Sequence, residues 1–268
     1  MTWYRLRAPA CGSYGVPRSV RRTLALGAVV CALSPMDAAG GPPYVTDDPE
    51  PVAYRHWEIY LASTISRNGP TWSGTAPHLE VNYGARPDIQ LHLIAPAAFT
   101  STPGSAAYGY GDTELGIKLR LLHEGAWVPQ AGLFTLVELP TGNAARGLGL
   151  GYAQVFLPLW VQKSVGPWQA YGGGGLWLEG TPGHQDYAFL GGHLERKLGE
   201  RLALGAELFH LTARPAAPAE MRFNAGAVLN LDKLHHILLS AGRGVQGPNQ
   251  FQGYIAYQLT FGPKRAKP

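Results

Sequence analysis

Between Asp112 and Leu121 the chain alternates with period two. Leu115, Ile117, Leu119 and Leu121 fall on one phase, and Glu114, Lys118 and Arg120 on the other. Successive side chains of a strand point to opposite faces, so this segment reads as a strand with one apolar and one charged face. The period recurs upstream. Trp57, Ile59, Leu61 and Ile65 oppose Glu58, Tyr60 and Thr64; Leu79, Val81 and Tyr83 oppose His78, Glu80 and Asn82; Ile89, Leu91 and Leu93 oppose Asp88, Gln90 and His92. After residue 40 no stretch offers the roughly 20 apolar residues that a membrane helix needs. The longest uncharged runs, 147–162 and 164–178, are broken by glycine and proline. If this chain spans a membrane, it spans it with strands.

Eight further segments continue the pattern with less contrast: 128–139, 152–162, 168–179, 187–197, 201–212, 222–231, 236–244 and 250–261. With the four above they make twelve, at about 17 residues for each strand and its connection, where a membrane strand takes about 9 to 11. Ten to fourteen strands fit the same spacing. The connections carry turn formers, such as Asn68-Gly69-Pro70, Gly166-Pro167 and Gly247-Pro248-Asn249, with no helical pattern between strands. Pro158 falls inside a proposed strand. A closed sheet has no free edge to accept it, so a bulge or a shorter strand is expected there.

The first forty residues read as an export leader. Arg5, Arg7, Arg18, Arg21 and Arg22 precede the apolar run Thr23 to Leu33, and Pro35, Ala38, Ala39 and Gly40 follow it. The whole chain holds 22 basic and 18 acidic residues, but five of the former and one of the latter, Asp37, lie in this leader, leaving 17 of each. The excess of positive charge therefore belongs to the leader and gives no case for a nucleic-acid partner. Both cysteines, Cys11 and Cys31, are also there, so residues 41–268 have no thiol for a disulfide, a zinc site or a nucleophile. Val29-Val30 before Cys31 suits a lipid-anchor processing site poorly.

Alternation alone does not separate a soluble sandwich from a membrane barrel, because the same pattern serves both. The leader, the lack of cysteine and the length favour an all-β fold: an antiparallel transmembrane β-barrel in the bacterial outer membrane. Aromatics near segment ends (Trp57, Tyr83, Tyr108, Tyr110, Trp127, Trp168, Tyr187 and Phe261) suit the girdles at the bilayer interface. The expected organisation is a leader over 1–40, a proline-rich segment over 41–54, a barrel over 55–261 and a basic tail over 262–268. Four prolines, Pro42, Pro43, Pro49 and Pro51, deny the second segment a regular ladder, and Asp47, Asp48 and Glu50 make it acidic. It is expected in or under the lumen, meeting Lys118 or Arg120; the alternative is a periplasmic tail.

Four short motifs, in order, carry a resemblance. They are Gly41-Pro42-Pro43-Tyr44-Val45-Thr46-Asp47-Asp48-Pro49-Glu50-Pro51, Gly111-Asp112-Thr113-Glu114-Leu115-Gly116-Ile117-Lys118, Leu139-Pro140-Thr141-Gly142 and Tyr171-Gly172-Gly173-Gly174-Gly175. With them the chain resembles, over most of 41–261, the outer-membrane family named for the MetA pathway of phenol degradation. That resemblance implies a transporter-like barrel that passes or binds small, often hydrophobic, compounds. The last segment, with Phe251, Ile255, Tyr257, Leu259 and Phe261 on one face, looks like a terminal strand read by the barrel-insertion machinery. The tail with Lys264, Arg265 and Lys267 is a departure.

If the apolar phase faces lipid, then Glu58, Glu80, Glu114, Lys118, Arg120, Glu138, Glu195 and Glu207 face the lumen and are the candidate binding residues. Tyr60, Phe134, Phe156, Trp177 and Phe209 share their phase. These residues serve a pore for small hydrophobic or aromatic solutes, or they fill a narrow structural barrel that transports nothing. A lipid-modifying enzyme is a third reading, with His92, His193 or His210 as base and Ser63 or Ser240 as nucleophile. His235 and His236 point opposite ways in a strand and do not share a metal there. Gly147-Leu148-Gly149-Leu150-Gly151 lacks the strand–helix setting of a nucleotide loop, and Gly172 to Gly175 suit a bent strand covered by an aromatic. No cofactor is expected, and membrane lipids are the expected partners.

Overall fold

The computed structural model describes residues 41–263 apart from 182, 184, 215 and 216. The leader expected over 1–40 and the end of the basic tail lie outside the described residues. Thirteen strands are present: β1 (Trp57–Asn68), β2 (Thr71–Arg86), β3 (Ile89–Thr102), β4 (Ser105–Tyr110), β5 (Thr113–Leu122), β6 (Gln130–Leu139), β7 (Gln154–Val165), β8 (Trp168–Leu178), β9 (Tyr187–Lys197), β10 (Leu202–Leu211), β11 (Glu220–Asn230), β12 (His235–Gln246) and β13 (Phe251–Phe261). All pairings are antiparallel, and β1 pairs with both β2 and β13, which closes the sheet. β4 and β5 both pair with β3, so they are two halves of one stave interrupted at Gly111 and Asp112. The fold is a closed barrel of twelve antiparallel staves. Among the described residues no helix is long and apolar enough to cross a membrane.

The two phases of each strand become an inside and an outside. On β5, Lys118 is buried within the barrel while Leu115, Ile117 and Leu121 are exposed. Leu61, Leu157, Leu159, Leu190, Leu204, Leu239 and Ile255 are likewise exposed on the outer face, Leu190 to 64 %. A soluble protein rarely leaves so continuous an apolar surface open to water. All seven strand carboxylates (Glu58, Glu80, Glu114, Glu138, Glu195, Glu207 and Glu220) lie on the inward phase.

Three local expectations need correction. Pro158 causes neither a bulge nor a shorter strand. β6 and β7 keep one register from Leu133↔Leu159 to Leu136↔Phe156, and only the rungs beside the proline, which has no N–H to give, are missing. Across the other edge Pro158 faces Gly175, where a Cβ would sit 2.5 Å from its Cα. Tyr187 is not part of a girdle: it points inward and is buried, whereas Trp57, Tyr83, Tyr108, Tyr110, Trp168 and Phe261 do take the outward phase. Finally, β2 begins seven residues before the expected segment at His78, β3 runs on to Thr102, and β4 was not anticipated. Those stretches are rich in Ser, Thr, Ala and Gly, so no apolar–polar contrast marks their period.

Both termini of the sheet lie at one end, where connections span 87–88, 123–129, 166–167, 198–201 and 231–234. The other end, the loop end, carries the longer ones, 140–153, 179–186 and 212–219. The first of these covers the free edge of β4. The Asp112 carboxylate accepts from the backbone N–H of Gly142 at 2.8 Å and from that of Leu150, and Leu148 is buried beneath. The Gly147 to Gly151 run thus serves a loop pinned to the wall.

Candidate functional site: a plugged lumen with one aromatic wall

Residues 41–53 thread the lumen, and Thr46, Asp48 and Pro49 among them are fully buried. The prolines keep this segment out of the sheet, so its backbone groups need partners from the wall. β10 supplies Glu207, whose carboxylate accepts from Val45 N at 2.9 Å and Thr46 N at 2.7 Å. β3 supplies Gln90, which accepts from Val52 N at 2.8 Å, and β12 supplies Ser240, which donates to the Pro43 carbonyl at 2.5 Å. β5 supplies the cations. Lys118 Nζ lies 2.9 Å from Asp47 and 3.5 Å from Asp48, and Arg120 lies 2.9 Å from Glu50. The segment expected to meet Lys118 or Arg120 meets both.

Burial pushes the Asp48 carboxyl up to about 7, against the pull of Lys118. The wall is also cut away to admit the segment. A Cβ at Gly84 would lie 2.0 Å from the Ala53 carbonyl oxygen, and one at Gly191 would lie 2.4 Å from Thr46 Oγ1. Nothing in the sequence marked these glycines as plug contacts, since the contact joins residues 31 and 145 positions apart.

The remaining inward charges form separate groups. Glu80 accepts from Asn82 at 2.8 Å; Asn82 in turn accepts from Gln90 at 2.9 Å and contacts His92 at 2.7 Å, and His92 meets Glu114 at 2.9 Å. Glu58 accepts from the Tyr60 hydroxyl at 2.8 Å, and Glu138 from Gln154. Glu195 is buried on β9. The eight candidate residues therefore share one face without forming one site: Lys118, Arg120 and Glu207 hold the plug, Glu58, Glu80 and Glu114 build a polar wall on β1, β2 and β5, and Glu138 and Glu195 stand apart on β6 and β9.

The opposite side, on β6 to β10 toward the loop end, is aromatic. Phe134, Phe156, Trp160, Phe189 and Phe209 form one buried cluster, with Leu136, Trp177 and Leu211 against it. Phe156 stacks on Trp177 with ring centres 4.7 Å apart and meets Trp160 and Phe189 edge-on at 6.3 and 6.0 Å. The cluster reaches the plug through Phe134, which has Lys118 Nζ 4.7 Å from its ring centre. Trp160 also covers the glycine run: it pairs with Gly173, where a Cβ would fall 2.0 Å from the Leu159 carbonyl oxygen. Sequence reading placed Phe134, Phe156, Trp177 and Phe209 here but missed Trp160 and Phe189.

The Trp160 indole N–H and both nitrogens of the His193 ring are among the buried polar atoms on this side without a hydrogen-bond partner. His193 lies between Tyr44 of the plug and Tyr171 of the wall, ring centres 4.0 and 4.3 Å away.

The residues considered for hydrolysis do not assemble. Ser63 pairs with Ile255 on the outer phase, and His210 pairs with Leu190 there. Inside, Ser240 is taken by Pro43 and Asn224, and His92 by Asn82 and Glu114. His235 faces Tyr257 outside while His236 bonds Asn230 at 2.7 Å inside. Among the described residues no group of three or more His, Cys, Asp or Glu is placed to hold a metal ion.

No family model matches the chain, and no curated protein matches it. Solved structures do. An outer-membrane channel from Pseudomonas putida F1 superposes with a TM-score of 0.66 at 16% identity, over 82% of this chain and 99% of that one. The KdgM porin in complex with disordered oligogalacturonate gives 0.56 at 10% identity, over 76% and 99%. The NanC porin gives 0.54 at 4% identity, over 75% and 98%. At such identities the likeness establishes the fold and nothing finer.

Proposed function

We propose that this chain is an outer-membrane channel in which small apolar or aromatic molecules enter from the loop end, lodge against the aromatic wall and pass when the plug shifts. The observation that carries the reading is the division of the lumen. An apolar solute gains by moving from water onto the five clustered aromatic rings of the inner face. Ionic and hydrogen-bonded contacts hold the plug, and such contacts exchange one set of partners for another more readily than a packed apolar core does. The longer connections at the loop end support placing that end outside the cell, with both ends of the sheet toward the periplasm. The four ordered motifs support membership of the phenol-degradation family.

Reconstituted barrels in asymmetric liposomes with a lipopolysaccharide outer leaflet test the proposal. They are expected to admit naphthalene faster than empty liposomes while admitting sucrose slowly. Equal naphthalene rates with and without protein would overturn the transport reading in favour of a filled structural barrel.

A further inference from the structure

On the outer face near the loop end, five paired residues form one row across neighbouring strands: Trp72, Arg67, Phe251, Arg243 and Phe223. The two arginines flank Phe251 on β13. Two strand spacings put their backbones about 10 Å apart. Both side chains are exposed, and neither meets a carboxylate among the described residues. The Arg67 guanidinium lies 5.2 Å from the centre of the Trp72 ring and donates to the Gly69 carbonyl, and Arg243 donates to Asn249 at 2.7 Å. These contacts orient the two cations without neutralising them.

Among the described residues no strand carboxylate shares the outer face. A cation facing hydrocarbon costs about 2–4 kcal/mol at the midplane and close to nothing at the interface. Arg67 is one residue from the end of its strand and Arg243 three, which places both at the interface. There they oppose whatever anion the adjacent leaflet presents. Phe223, the neighbour of Arg243, is also one wall of a surface cleft of about 600 Å³. Val161, Lys163, Ala170, Leu194, Ala206 and Leu208 also line it, and Gly172 and Gly192, paired across β8 and β9, form a floor without side chains. An acyl chain fits such a surface.

We propose that Arg67 and Arg243 bind the phosphates of a diphosphorylated glycolipid of the outer leaflet, with one of its acyl chains lying in the cleft beside Phe223. The proposal rests on the membrane-barrel reading with the loop end outward. Two separated cations match a headgroup with a phosphate at each end of a disaccharide better than they match a single phosphodiester. A guanidinium offers paired donors to each phosphate.

The test uses the purified, folded full-length barrel and follows the temperature at which its heat-modifiable gel band is lost. Diphosphorylated lipid A is expected to raise that temperature, and dephosphorylated lipid A and phosphatidylglycerol to raise it far less. The variant R67Q/R243Q is expected to need at least tenfold more lipid A for the same shift, and R67K/R243K to recover part of the response. R196Q removes an outward cation at the opposite end and is expected to respond as the parent does. An unchanged response in R67Q/R243Q, or equal shifts from phosphatidylglycerol or the dephosphorylated lipid, would overturn the assignment. Failure of the membrane-barrel reading looks different: no heat-modifiable band would appear with any lipid.

Discussion

Replacing Lys118 with methionine is the sharpest perturbation of the plug. Lys118 is 3% exposed, and its ammonium serves two carboxylates of the segment, Asp47 at 2.9 Å and the fully buried Asp48 at 3.5 Å. Methionine fills similar space and can keep a contact with Phe134, so packing changes little. What is lost is the charge, which leaves two carboxylates buried without their cation. Removing one partner of a buried ion pair costs about 3–5 kcal/mol. At about 1.4 kcal/mol per factor of ten, the docked plug should be disfavoured by roughly two to three and a half orders of magnitude relative to the displaced one. Single-channel recording in planar bilayers reads this directly. The parent is expected to show rare, brief openings, and K118M long ones with larger conductance. The triple variant D47N/D48N/K118M removes the stranded charges as well and is expected to return most of the closed time. If K118M conducts no more than the parent, or if the triple variant conducts as much as K118M, the ion pairs do not hold the plug.

Because burial raises the Asp48 carboxyl to about 7, the docked plug takes up a proton that the displaced plug releases. Docking is then favoured below pH 7 and loses this contribution as pH rises through it. Open probability should therefore climb from pH 6 to pH 8, and D48N should flatten the profile. Gly191→Val thrusts a side chain at Thr46 and should expose residues 41–53 to protease while leaving the heat-modifiable barrel intact. Gly173→Val instead meets the backbone of the neighbouring strand and should abolish the folded band. Trp160→Ala should lower stability by about 3–5 kcal/mol, read by denaturant titration of the refolded barrel.

The strands with charged inner faces were legible because contrast reveals a period. On β5, Glu114, Lys118 and Arg120 stand against Leu115, Ile117 and Leu119, and hydropathy alone fixes the phase. In the middle of β7 Phe156, Pro158 and Trp160 point inward and Leu157, Leu159 and Val161 outward, so both faces are apolar there and alternation is silent. The aromatic wall was therefore seen only in part, and Tyr187 was assigned to the wrong surface. The acidity of residues 47–50 opposite Lys118 and Arg120 pointed to a charge match that the geometry contains. The neutral half of the plug's attachment was hidden. Glu207 to Thr46 and Ser240 to Pro43 join positions 161 and 197 residues apart, and no local pattern encodes such a meeting. Pro158 misled because a local rule about ladder donors took no account of Gly175, whose lack of a Cβ lets the two backbones approach closely there.

The central claim is that the aromatic side of the lumen receives an apolar solute. The most direct measurement is an equilibrium titration of the folded barrel with naphthalene, followed by quenching of tryptophan fluorescence and compared with Phe156→Gln. The account predicts saturable quenching in the parent, weakened at least tenfold in the variant, because Phe156 sits between Trp160 and Trp177. Quenching that never saturates, or that is the same in both proteins, would contradict it.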